Sequence, residues 1–217
     1  MVGDPLSGAP FWTHALLIPP PPKPAPPTMD EIKKRLRREC RTRRIALAAE
    51  RPDAPAQAAQ ALAAAALGDV QVAAIYHAVG SEMDAGPIAN VLRAMGVKIA
   101  LPVVLAADAS LVFRLREDQM MVQDAAGMFT PPPSAPLVRP DLVFVPLLAF
   151  DDRGGRLGQG GGFYDRTLAH LRAEGQVRAV GLAYAGQRQP RLPMAGHDQA
   201  LDGVLTEDGL TWFKKEV

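Results

Sequence analysis

At 217 residues, with 48% hydrophobic and 22% charged residues and a formal net charge of +1, the chain can bury one sizeable core and has no overall bias toward polyanions or membrane surfaces. The single cysteine, Cys40, excludes an intramolecular disulfide and a multi-cysteine zinc site, which makes a reducing, cytoplasmic setting the expectation. No stretch reaches the roughly 18 consecutive apolar residues that a spanning helix needs.

Residues 1–28 carry no period and are rich in proline, with Pro19 to Pro22, Pro24, Pro26 and Pro27 favouring extended polyproline over helix. They are expected to form a disordered leader outside a single domain over residues 29–217. The apolar run at 11–18 lacks the basic start and A-x-A cleavage site of a secretory signal, and Met29 stands directly before a helical pattern as an expected natural start. That helix has Asp30 as its expected cap and runs through Ile32, Leu36, Ile45 and Leu47. Lys33 and Arg37 are four residues apart and share a face, whereas Arg38, Arg41, Arg43 and Arg44 read as surface.

An alanine-rich helix follows over 54–67, then a strand over 70–76, a helix over 87–95 and a strand over 97–104, which is a β-α-β rhythm. Residues 111–115 alternate as a half-buried strand does, while 142–148 are almost continuously apolar, as a central strand covered on both faces should be. A helix over 163–171, a strand over 179–184 and a short one at 204–205 complete a layered α/β sandwich with a mixed or largely parallel sheet.

Between the buried strand and the last helix lies Asp151-Asp152-Arg153-Gly154-Gly155-Arg156-Leu157-Gly158-Gln159-Gly160-Gly161-Gly162-Phe163-Tyr164-Asp165-Arg166, a ligand-binding position in open α/β sheets. Glycines let backbone N–H groups approach phosphate oxygens, the helix directs its positive end at the same anion, and Arg156 and Arg166 add to that field. Glycine content alone fits a surface turn equally well. No Gly-Lys-Ser/Thr closes the loop and no acidic ribose partner follows it, so neither an ordinary P-loop nor a dinucleotide fingerprint is present.

The stretch from Val145-Pro146 through Phe150-Asp151, with Gly155-Arg156-Leu157-Gly158-x-Gly160-x-Gly162-x-Tyr164-Asp165-Arg166, resembles the signature of 5-formyltetrahydrofolate cyclo-ligases. Further matching segments extend the resemblance from about Glu31 to Glu207: Lys33-x-x-Leu36-Arg37, Ser81-Glu82-Met83-Asp84 through Ile88, Leu101-Pro102-Val103, Gly127 to Pro131, and Gly181 through Tyr184, Gln187, His197-Asp198 and Asp202. It implies a three-layer sandwich with a largely parallel central sheet flanked by helices, and Mg-ATP-dependent closure of 5-formyltetrahydrofolate to 5,10-methenyltetrahydrofolate with release of ADP and phosphate. By the same resemblance Lys33, Arg37, Arg156 and Leu157 through Tyr164 (Gly158, Gln159, Gly160, Gly161, Gly162, Phe163) hold ATP. Glu82, Gln187 and the Gln159 to Tyr164 segment hold folate, and Asp165 and Asp198 hold Mg²⁺. Glu82 is equally able to cap the helix after it.

Two departures from the family pattern stand out. Asp84 and Ala85 replace the usual residues, and Phe163 lacks the phenol hydroxyl of the family's Tyr-Tyr-Asp, a loss of roughly 0.5 to 1.5 kcal/mol if that hydroxyl meets ligand. The partner is therefore expected to be a reduced folate, with or without a polyglutamate tail, bound by a monomer or weak homodimer. Neither nucleic acid nor membrane is expected. The alternative is a non-catalytic relative that keeps a nucleotide or folate pocket, which would bind folate without turnover.

Overall fold

The computed structural model describes residues 26–117 and 120–214, so the predicted leader lies almost wholly outside the described residues. Helix α1 spans Met29–Glu50 and is capped by Thr28, not Asp30. The Thr28 hydroxyl accepts from the Glu31 N–H at 3.3 Å, and the Glu31 carboxylate accepts from the Thr28 N–H at 2.7 Å, a reciprocal capping box. Asp30 falls inside the first turn, where its charge complements the helix dipole.

On α1 the residues Lys33, Leu36, Arg37, Cys40, Arg44 and Leu47 recur at separations of three and four and form one stripe. Cys40 and Leu36 pack with Leu148, Ala149, Leu157 and Leu192, which seats this stripe on the segment that follows the central strand. Burial raises the Cys40 thiol pKa. Arg44 is 4% exposed, which corrects its reading as a surface residue.

Helices α2 (Ala54–Ala63) and α3 (Gly86–Ala94) pack against each other and against one face of the sheet. The α2 helix ends four residues before its expected end at 67, yet Leu67 and Val70 are buried. Their hydrophobicity reports burial, whereas the chain must leave the helix there to enter strand β1 (Val72–Ala74). The next strands are β2 (Lys98–Val103), β3 (Val112–Leu115), the small pair β4 (Val122–Gln123) and β5 (Phe129–Thr130), β6 (Leu137–Val138) and β7 (Leu142–Pro146). After β7 come the two-residue pair β8 (Ala149–Phe150) and β9 (Arg156–Leu157), helix α4 (Phe163–Glu174), β10 (Arg178–Leu182), a single turn of 3₁₀ helix (Ala185–Gln187), β11 (Gly203–Thr206) and β12 (Gly209–Trp212).

The main sheet runs β12-β11-β10-β7-β1-β2-β3-β6. Its five central strands are mutually parallel, and antiparallel neighbours close both sides, β12 on β11 and β3 then β6 on β2. The expected α/β sandwich with a largely parallel, mixed sheet is the observed fold. Even within its continuous apolar run β7 alternates: Phe144 packs with Leu62, Ile88 and Leu92 of α2 and α3, while Val143 and Val145 pack with Leu168 and Leu171 of α4. The pairs β4–β5 and β8–β9, and strands β6 and β12, are absent from the sequence reading because two to four residues carry too little alternation to register. No helix among the described residues is long and apolar enough to cross a membrane.

From β1 the chain crosses to β2 on one side, whereas from β7 it crosses to β10 on the other, so the crevice past the ends of β1 and β7 is the switch point of the sheet. The loop between β8 and β9, which leads into the glycine stretch, is tightly set. Gly154 has φ +80°, and a Cβ on it would lie 2.4 Å from the Leu201 carbonyl oxygen. Gly154→Ala should therefore destabilise the protein by about 2–4 kcal/mol in urea unfolding.

Candidate active site

A cavity of about 910 Å³ opens at that switch point, walled by α1, the glycine loop, the start of α4, the β4–β5 pair and the turn at His197-Asp198. The loop is anchored from behind by Asp151, which is fully buried. Its carboxylate accepts from the N–H groups of Gly155 (2.9 Å), Arg153 (3.0 Å) and Leu192 (2.8 Å), and from the Arg153 guanidinium. Burial pushes its pKa up, but these hydrogen bonds to the charged form outweigh burial and the net shift is downward. A Cβ at Gly155 would collide with this carboxylate at 2.8 Å.

Along the front of the loop, Arg37 donates from Nε to the Gly158 carbonyl at 3.2 Å and lies against Gly160, whose φ is +107°. Arg41 donates to the Gln159 carboxamide oxygen at 2.7 Å, and Gln159 Nε2 donates to Glu82 at 3.4 Å. Gly162, at φ +68°, begins α4, whose N-terminus faces the cavity with the glycines before it. Arg166, expected to add to the phosphate field, instead turns to the carbonyls of Ala107 and Ala109 and sits over the Phe163 ring at 5.1 Å.

Two ion pairs face the cavity. Lys33 bonds Asp198, and the Asp198 oxygen it uses also accepts from the Ala195 N–H at 2.6 Å. Arg156 bonds Asp165 at 2.6 Å, and the same oxygen accepts from the Gln199 N–H at 2.9 Å. Burial raises the Asp198 pKa, but the Lys33 ammonium and the Ala195 N–H more than offset it, so the net value lies below the ordinary one. Burial lowers Arg156 against the pull of Asp165, and burial holds the Tyr164 phenol well above its ordinary pKa.

These two carboxylates are hard-oxygen donors whose hydrogen bonds converge on one oxygen of each, and the second Asp198 oxygen lies 3.7 Å from His197 Nε2. Among the described residues no cluster of three His, Cys, Asp or Glu side chains is placed to form a complete metal cage. The set fits Mg²⁺, which completes its shell with water and phosphate, and not a self-contained protein site.

The structure brings together around one cavity Lys33, Arg37, Glu82, Arg156, Leu157, Gly158, Gln159, Gly160, Gly161, Gly162, Phe163, Tyr164, Asp165 and Asp198. Gln187 is the exception. It is 2% exposed, donates to the carbonyls of Leu147 and Leu148 at 3.0 Å each and accepts from the Tyr184 N–H at 2.8 Å, so its amide is spent inside the fold. Glu82 does not cap α3, whose cap residue Ala85 makes no side-chain bond.

Sequence reasoning missed Tyr76, whose hydroxyl donates to the Met83 carbonyl at 2.9 Å, as well as His77 and Asp124. Asp124 pins the β4–β5 turn by accepting from the Ala126, Met128 and Val104 N–H groups, each at 2.9 Å. The signal for it was Asp124 three residues before Gly127, a turn pattern.

Comparison with known proteins decides the family. The sequence profile of the 5-formyltetrahydrofolate cyclo-ligase family matches residues 29–207. The chain belongs to this family. It is 34% identical over 139 residues to the 5-formyltetrahydrofolate cyclo-ligase of Mycolicibacterium smegmatis, covering 60% of this chain and 71% of that one. It is also 34% identical over 138 residues to the Haemophilus influenzae protein of the same name, covering 61% and 73%. The Aquifex aeolicus 5,10-methenyltetrahydrofolate synthetase structure superposes with a TM-score of 0.69 at 26% identity, over 86% of this chain and 95% of that one. A Mycoplasma pneumoniae 5,10-methenyltetrahydrofolate synthetase shares the fold at a TM-score of 0.60 and 23% identity, over 81% and 98%. Membership in the cyclo-ligase family makes the chain an enzyme, a ligase of folate one-carbon chemistry.

Two outcomes follow from the charges. Asp198→Ala leaves Lys33, 8% exposed, without its partner and should cost about 3 kcal/mol in urea unfolding, while a Lys33→Met/Asp198→Leu double variant recovers most of that stability. The folded-state pKa of Asp151 lies below its ordinary 3.8, so its contribution is full above pH 3.8 and vanishes as pH falls through the lower folded value. Stability of Asp151→Asn should therefore fall less steeply than that of the unaltered protein below pH 3.8, measured by urea midpoints across the acid range.

Proposed function

We propose that this cavity converts 5-formyltetrahydrofolate, with or without its polyglutamate tail, to 5,10-methenyltetrahydrofolate, using Mg-ATP and releasing ADP and phosphate. The observation that carries the reading is the convergence of Lys33, Arg37, Arg156, the glycine loop, Asp165, Asp198 and Glu82 around one cavity. The triphosphate lies against the loop amides and the α4 N-terminus, with Arg37 holding the loop in the shape that receives it. Asp165 and Asp198 would hold Mg²⁺, which when bound neutralises phosphate charge. Lys33 and Arg156, each paired with one of those carboxylates, would contact phosphate oxygens when Mg-ATP is bound, so that each of these charges keeps a partner.

On the folate side Glu82 accepts from pterin N–H donors through charge-assisted hydrogen bonds. The Tyr164 phenol, kept protonated by burial, serves as a donor beside it. The formyl oxygen attacks the γ-phosphorus and the bond to ADP breaks, giving an N5-iminium phosphate. N10 then adds to that carbon and loses its proton, and phosphate leaves with the former formyl oxygen. No protein nucleophile is required, because alignment of oxygen, phosphorus and N10 and neutralisation of phosphate charge supply the catalysis. The reading describes a cytoplasmic enzyme, monomeric or weakly dimeric, with small-molecule partners only.

Purified protein given 5-formyltetrahydrofolate labelled with ¹⁸O in the formyl group, together with Mg-ATP, should develop methenyl absorbance with one ADP released per turnover. The label should appear in inorganic phosphate. Folate binding without absorbance change or ADP release would replace this reading with that of a non-catalytic binding relative.

A further inference from the structure

Arg44 is buried at 4% exposure and does not line the cavity, yet its guanidinium lies directly behind the residue assigned to folate. Its Nη1 donates to the Leu147 carbonyl at 3.2 Å and lies 3.5 Å from Glu82 Oε1, while its Nε donates to the Ser81 hydroxyl at 3.1 Å. The Glu82 side chain is itself only 8% exposed, and its second oxygen accepts from the Val79 N–H at 3.0 Å. The Leu147 carbonyl is shared: Gln187 donates to it at 3.0 Å from its other side. One carbonyl just past β7 thus fixes Arg44, and Arg44 fixes both the loop at Ser81 and the carboxylate that follows it.

Filling space under α1 would not need a guanidinium, since an apolar side chain of similar volume avoids the desolvation that a buried cation costs. What Arg44 adds is direction. Its planar fork joins three fixed acceptors, which an ammonium or an alkyl chain cannot reproduce. We propose that Arg44 is the positioning residue for Glu82, holding the carboxylate toward the cavity in the geometry that receives the pterin. The proposal rests on the assignment of Glu82 to the folate site.

Steady-state kinetics with both substrates, together with thermal unfolding, test it on Arg44→Lys, Arg44→Met, Ser81→Ala and Glu82→Gln. Both Arg44 variants should raise KM for 5-formyltetrahydrofolate roughly tenfold while KM for ATP stays within about twofold, and lysine should not rescue. Ser81→Ala, which removes one anchor of the fork without emptying the core, should raise the folate KM about threefold. If Glu82→Gln leaves the folate KM unchanged, the assignment of Glu82 fails and this inference with it. If Glu82→Gln raises it but folded Arg44 variants do not, or if they raise both KM values together, the inference alone is overturned. Should the Arg44 variants fail to fold, Ser81→Ala decides, and an unchanged folate KM there sinks the proposal.

Discussion

Charge cannot be buried alone, and that constraint organises the active site. Helix α1 turns Lys33 and Arg44 inward on one stripe, and each must meet a carboxylate supplied from far along the chain. Lys33 finds Asp198 in the turn before β11, and Arg44 finds Glu82 in the connection after β1. These two pairs lock the helix across the ends of the parallel strands beside one cavity. A basic helix that would otherwise be a solvated surface becomes part of the cavity wall.

The glycine loop depends on a second set of buried charges. Asp151 gathers three backbone N–H groups behind the loop, and its position is enforced by glycines at 154 and 155 that leave no room for a side chain. With its rear fixed in this way, the loop presents its front to the cavity, where Arg37 donates to the Gly158 carbonyl. Gln159 joins the loop to both α1 and the connection after β1, accepting from Arg41 and donating to Glu82.

The Lys33–Asp198 and Arg156–Asp165 pairs also bear on stability. Beside the cavity they match two cations to two carboxylates. Removing either carboxylate leaves a buried cation without its partner, and that desolvated charge destabilises the fold.

Much of this was legible in the residues. The continuous apolar run of β7 and the β-α-β rhythm before it determine a parallel-centred α/β sheet, and the glycines after β7 mark a loop whose backbone adopts positive φ, because burial on both faces and a positive φ restrict which residue types can occur. The lysine, arginines, aspartates and Glu82 of the site were marked by local pattern and resemblance. What the tertiary structure alone decided was which polar side chains face the ligand and which support from behind. Gln187, expected at the folate site, and Arg44, expected at the surface, both lie buried behind the cavity, the amide satisfied inside the fold and the arginine beside Glu82. A polar side chain reads the same in sequence whether its hydrogen bonds go to a substrate or to the carbonyl of Leu147, and only the packing of α1 on the strand ends settles which.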